Sequence, residues 1–136
     1  MPEDVRKVDY FYVMVGNTPG QAAQILEGLA NAGVNLLAFS GFPSGRKAQL
    51  DLVPEDSAAL KSAARKLGLE LSERKSGFLC QGEDRVGAMT ELLRKIADAG
   101  INLTAIDAVS AGQGRYGAIF WVKPEDVAKT ARVLKR

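Results

Sequence analysis

Hydrophobic and polar residues change rhythm along this chain in an order that occurs twice. Residues Val8–Val15, "VDYFYVMV", are rich in aromatic and β-branched side chains and predict a strand. Ala22, Ile25, Leu26 and Leu29 then recur at helical spacing and predict an amphipathic helix. Gly33 ends it, because glycine enters the left-handed conformation beyond a helix end at little cost. "NLLAFSGF" and "AQLDLV" (Ala48–Val53) read as two strands joined by a glycine-containing hairpin. "PEDSAALKSAARKLG" predicts a second helix with proline at its start, and "LELSERK" (Leu69–Lys75) predicts a fourth strand.

The rhythm then restarts. "GFLCQG" (Gly77–Gly82) predicts a strand, Met89, Leu92, Leu93 and Ile96 form the next helical stripe, and Gly100 ends that helix. "NLTAIDAVS", "GAIFWV" (Gly117–Val122) and "PEDVAKTARVLK" follow as strand, strand and helix. Laying Gly20 on Gly87, an offset of 67, also matches Leu26 with Leu93, Ala30 with Ala97, Gly33 with Gly100, Asn35 with Asn102 and Ala38 with Ala105. "NAGVNLLAF" and "DAGINLTAI" are thus the same helix exit running into a strand. "VPED" and "VKPED" match at an offset of 70, which places three extra residues in the loop "SAGQGRYG", where an insertion costs little. The pattern is an internal duplication of one supersecondary unit.

The order βαββαβ predicts an α+β chain of two ferredoxin-like domains in tandem, 1–75 and 76–136, each an antiparallel sheet with helices on one face. The second copy ends after its second helix and lacks an obvious fourth strand. A strand from the first copy or from another chain is expected to cover the edge this leaves. In the third strands, Ala48, Leu50 and Leu52 correspond to Ala118, Phe120 and Val122 as the helix-facing set. The opposite face carries Gln49 and Asp51 in the first copy but Ile119 and Trp121 in the second, an apolar face expected to meet a partner. At the helix starts, Thr18 is expected to cap with Pro19 at the first helical position and Gln21 completing a capping box; Asp84 is expected to cap in the second copy.

Composition narrows the chemistry. Apolar residues make up 46%, charged residues 25%, and the net charge is +2. No apolar run is long enough to span a membrane, and "MPEDVRK" lacks the apolar stretch of a secretory signal, so a cytoplasmic protein is expected. The single cysteine, Cys80, allows no internal disulfide and reads as a buried structural thiol. Histidine is absent, which removes the commonest general base and metal ligand, along with Ser-His-Asp and Cys-His catalysis. No phosphate-cradling Gly-Lys-Ser/Thr motif occurs. Neither a catalytic residue, a metal site nor a cofactor is expected. Basic residues are scattered, unlike a nucleic-acid footprint.

With these elements in place, "NTPGQAAQILEGLANAGVNLLAF" resembles the opening of an ACT domain, and "EDRVGAMTELLRKIADAGINLTAI" resembles it again. The family pattern runs from Asp or Asn through Pro-Gly and a helix to Gly-Ile/Val-Asn; Val86 stands where proline is usual. The resemblance implies a stand-alone tandem ACT protein, a non-catalytic regulator that binds a small ligand, typically an amino acid, between paired copies. It implies ligand-binding residues Asn17, Thr18, Pro19 and Gly20 with Asn35 and Leu36, and Asp84, Arg85, Val86 and Gly87 with Asn102 and Leu103. A helix N-terminus suits a carboxylate, Asp84 an ammonium, and the two Asn amides offer donors and acceptors. The same residues equally serve as a turn, a cap and a helix exit. A homo-oligomer, a dimer, and a regulated enzyme are the expected partners, with neither nucleic acid nor membrane. Alternatives are a ligand-free interaction module that regulates an enzyme and an RNA-binding module of the same topology. "RYGAIFWV" is a poor match to the RNA-binding signature, since Tyr116 precedes Gly117 and the first copy has no aromatic there.

Overall fold

The computed structural model describes residues 4–135. Among them are six strands and four helices: β1 (Asp4–Gly16), α1 (Gln21–Asn31), β2 (Leu36–Ser44), β3 (Lys47–Pro54), α2 (Ser57–Leu67), β4 (Lys75–Glu83), α3 (Thr90–Asp98), β5 (Leu103–Gly112), β6 (Arg115–Val122) and α4 (Val127–Leu134), the last preceded by a 3₁₀ turn at Pro124–Asp126. The architecture is α+β, of the ferredoxin-like βαββαβ kind, and resolves into two compact units.

The first unit covers Asp9–Lys75. Its β3 pairs antiparallel with β1, from Phe11↔Leu52 to Gly16↔Lys47, and on its other side with β2. Phe11, Val13, Leu50 and Leu52 project from this sheet onto Ile25 and Leu29 of α1 and Leu60 and Ala63 of α2. The period-2 and helical stripes of the sequence therefore meet as one apolar layer. Asp56 caps α2, its carboxylate accepting from the backbone N–H groups of Ala58 and Ala59 at 3.0 and 3.2 Å. Pro54 ends β3 and does not open the helix.

The second unit combines residues 76–135 with residues 4–8. Its β6 pairs antiparallel with β4 and with β5. Phe78 lies opposite Phe120, the rings stacked with centroids 5.3 Å apart, and both pack with Leu92 and Ile96 of α3. Residues 4–8 of β1, which the sequence placed in the first domain, lie with this unit beside β4. Val5 packs against its core. This stretch takes the position of the fourth strand that the repeat lacks.

The duplication extends to irregularities. β2 departs from regular pairing between Leu36 and Ala38, and β5 does so between Leu103 and Ala105, the same place in each copy. Gly33 and Gly100 follow their helices at φ 78° and 74°, as the helix-exit reading requires.

Several expectations are corrected. Residues 69–74 form no strand, and Lys75 already opens β4. Leu69 and Leu71 instead pack on the first core, and Ser72 ties the segment to β1. The Tyr12 N–H donates to the Ser72 hydroxyl at 2.9 Å, and the Ser72 N–H donates to the Tyr12 carbonyl at 2.8 Å. A side-chain oxygen thus stands in for a ladder carbonyl. Thr18 does not cap α1; Gly20 occupies that position at φ 90° with no side-chain cap. Asp84 does not cap α3, which begins six residues further on. Ile119 and Trp121 form no open face, being only 8% and 6% exposed. Gly77 makes room for the indole: a Cβ there would lie 3.1 Å from Trp121 Nε1.

Candidate functional site

The site lies in the second unit, where the end of β4 meets the β5–β6 hairpin. Gly82 pairs with Tyr116 and Glu83 with Arg115, so the chain leaves β4 alongside the hairpin turn. Asp84 then donates its N–H to the Gly114 carbonyl at 2.8 Å. Through Gly112, Gln113 and Gly114 the backbone runs at φ 84°, 56° and 72°, and Gln113 is the one described non-glycine residue with positive φ. Two tight turns carry the chain on to α3, with Ala88 N–H donating to the Arg85 carbonyl at 3.1 Å and Thr90 N–H to the Gly87 carbonyl at 3.0 Å. Gly87 sits at φ 73°, and a Cβ there would approach Thr90 Oγ1 to 3.2 Å. Both observations favour glycine at that position.

These turns and the hairpin border an open cavity of about 380 Å³. Asp84, Gly87, Ala88 and Met89 line it from the loop, and Thr90 and Leu93 from α3. Ala108, Val109 and Ser110 line it from β5, and Tyr116 from β6. Its volume falls within the range of small-molecule sites, and like them it is mostly apolar with a few convergent polar groups. Asp84 brings the only ionisable carboxylate or base among these residues. The Ser110 hydroxyl donates to Asp84 Oδ2 at 2.9 Å, fixing the carboxylate at the rim. Tyr116 is buried, and its phenol oxygen is 3.2 Å from Cys80 Sγ, so the thiol belongs to the packed layer beneath the cavity. No cluster of potential metal ligands occurs among the described residues.

Of the residues expected here from the sequence, Asp84 and Gly87 line the cavity. Arg85 and Val86 lie in the same loop outside the lining, Val86 being fully exposed. Asn102 and Leu103 sit at the opposite end of β5 from Ser110, Asn102 exposed and Leu103 packed on the core. In the first unit Asn17, Thr18, Pro19 and Gly20 form an exposed loop. Asn35 is exposed and accepts from Glu55 N–H through its carbonyl at 2.9 Å, while Leu36 packs on the core. Ala108, Val109, Ser110 and Tyr116 were missed. The sequence placed three extra residues in this hairpin, but the strand pairing shows one: both hairpins turn over two residues, and β5 is irregular between Ser110 and Gly112. Met89 and Leu93 read as core stripe, and they both pack on the core and line the cavity.

The first unit holds a separate polar group. Asp51 is only 7% exposed, and its Oδ1 accepts from Gln49 Nε2 at 3.0 Å. Burial pushes its carboxyl pKa up, an effect the Gln49 bond opposes. Burial, and next the charge of Asp51, push the Tyr10 phenol up as well.

Among the described residues no helix is long and apolar enough to cross a membrane. No curated protein matches the sequence. Among solved structures the fold is similar to that of a protein from Bacteroides thetaiotaomicron, with a TM-score of 0.81 at 15% identity over 96% of this chain and 88% of that one. It is also similar to the regulatory subunit of aspartate kinase from Thermus thermophilus in its ligand-free form, with a TM-score of 0.65 at 15% identity over 99% and 95%. The corresponding subunit from Thermus flavus gives 0.60 at 14% identity, again over 99% and 95%. Residues 78–136, the stretch that carries the cavity, match the family model of the ACT domain.

Proposed function

We propose that this chain is a pair of ACT domains, the second completed by residues 4–8, that binds an amino acid and conveys its presence to an enzyme without itself being a catalyst. The observation that carries the reading is the cavity at the start of α3, beside the loop that opens the ACT-like motif and within the ACT-matching stretch. A carboxylate fixed at the rim of an apolar cavity suits a small molecule bearing an ammonium. The likeness to regulatory subunits of aspartate kinase supports a regulatory setting, with an enzyme of amino-acid metabolism as the responding partner.

A second copy of the chain is the proposed companion at β5. This strand pairs only with β6 among the described strands. It contains no proline, lysine or arginine, the residues that commonly blunt an edge, and it leaves Val109 67% exposed. A thermal-shift screen against the twenty amino acids tests ligand binding, because a ligand that binds only the folded form raises the melting temperature. A flat screen, with a dimer by light scattering, would favour the ligand-free interaction module.

A further inference from the structure

Resting on that reading, we propose that the responding enzyme docks on the first unit, at the sheet face opposite α1 and α2, through a segment that carries a carboxylate among apolar side chains. Register lays this face out in rows. Gln49 of β3 stands between Phe42 of β2 and Met14 of β1, and residues paired in this way project to the same side. The row toward the β2–β3 turn is Ser44, Lys47 and Gly16; the row on the other side is Ser40, Asp51 and Tyr12. Asp51, and Val53 beyond it, are buried. The end near the turn is open, with Phe42 43% and Met14 37% exposed and Lys47 exposed beside them. Phe42 and Met14 are two strand spacings apart, about 10 Å, a span that one short segment bridges. The Gln49 amide between them donates to Asp51 Oδ1 at 3.0 Å, so it turns along β3 away from Lys47. An apolar pair thus flanks a cation, and Phe and Met are side chains that protein interfaces favour.

Charge selects the occupant. Among the described residues no carboxylate pairs with Lys47 or with Arg46 at the adjacent turn. Asp51 is the one acid in these rows; it lies about 13 Å from Lys47 along β3, and its Oδ1 is engaged by Gln49. A second copy docking through the same face would therefore bring Lys47 no counter-charge. Lys47 and Arg46 alone are too sparse for the phosphate contacts of a nucleic acid. A carboxylate set among apolar side chains meets both features of the patch. The second unit lacks this combination. Strand pairing puts Arg115 where Lys47 stands, but Glu83 lies directly opposite it. Across Gly117, Gln81 takes the place of Met14 and Val109 that of Phe42.

Peptide display on the whole immobilised chain tests the proposal, followed by fluorescence polarisation with the enriched peptide. The enriched sequences should share an Asp or Glu among Leu, Met or Phe. Lys47→Glu and Met14→Ser should each weaken that peptide by about tenfold or more, in chains that circular dichroism shows to be folded. Arg115→Gln in the second unit should leave the affinity unchanged. No enrichment, enrichment of basic peptides, an affinity unaltered in Lys47→Glu, or tighter binding of oligouridine or of phosphatidylglycerol vesicles would each overturn this inference. The thermal-shift screen separates the two readings. A raised melting temperature with no enriched peptide removes the docking face and leaves an amino-acid-binding protein. A flat screen, with an acidic peptide lost in Lys47→Glu, keeps the face and overturns amino-acid binding instead.

Discussion

The Ser110 hydroxyl reaches Asp84 Oδ2 at 2.9 Å, and this bond joins the edge strand β5 to the loop leaving β4. The same loop is held from the other side by the Asp84 N–H on the Gly114 carbonyl. Backbone and side chain of one residue thus grip both arms of a single hairpin. Ser110→Ala should cost less than about 1 kcal/mol of stability, as the bond is exposed to water. Its larger effect should be faster amide exchange across 84–90, measured by hydrogen–deuterium exchange. Unchanged exchange there would show that the backbone bond alone orders the loop.

Gly77→Ala should destabilise the protein by about 1–3 kcal/mol, through overpacking against the Trp121 indole. Trp121 is the sole tryptophan, so its fluorescence reports this event directly. The expected signature is a red-shifted emission together with a lower urea midpoint. An unchanged midpoint would mean that the indole moves aside freely.

Asp51→Asn should stabilise the chain at neutral pH. Burial raises the folded-state pKa of Asp51, so the ionised carboxylate is less welcome in the fold than in the unfolded chain. The sign follows from linkage. The folded state holds the proton more tightly, so Asp51 carries no charge penalty below its unfolded value near 3.8 and gains one as pH rises through the folded value. The advantage of the amide should therefore grow from acid to neutral pH in paired melting curves. An advantage that shrinks over that interval would refute the assignment.

Gln113→Gly should raise stability by about 1 kcal/mol, because Gln113 holds φ 56° between two glycines in a turn that suits residues free to adopt positive φ. Gln113→Val should lower it, since branching at Cβ crowds the left-handed region. Chemical denaturation of both variants checks the ordering.

The repeat was readable because each turn of its pattern has a physical cause. Gly33 and Gly100 mark helix exits through their backbone freedom, and the stripes through Ile25 and Leu29 and through Leu92 and Ile96 mark the two cores. What sequence could not carry was long-range replacement. Nothing local says that Ser72 will satisfy Tyr12 through a hydroxyl, or that residues 4–8 will leave their own copy for the other. Thr18 and Asp84 fit the capping rule by type, yet Gly20 and the double turn at 85–90 move each helix start beyond their reach. The site was half legible for the same reason. Asp84 and Gly87 belong to the local motif, whereas Ser110 and Tyr116 arrive by strand pairing.

β1 also bears on how the molecule is made and handled. Val5 packs into a core that includes Val127, Ala131 and Leu134, partners far along the chain from it. Its docking needs a long loop closure, of the sort that slows folding. A fragment trimmed to the C-terminal half would be born with a bare β4 flank, prone to capture strands from its neighbours.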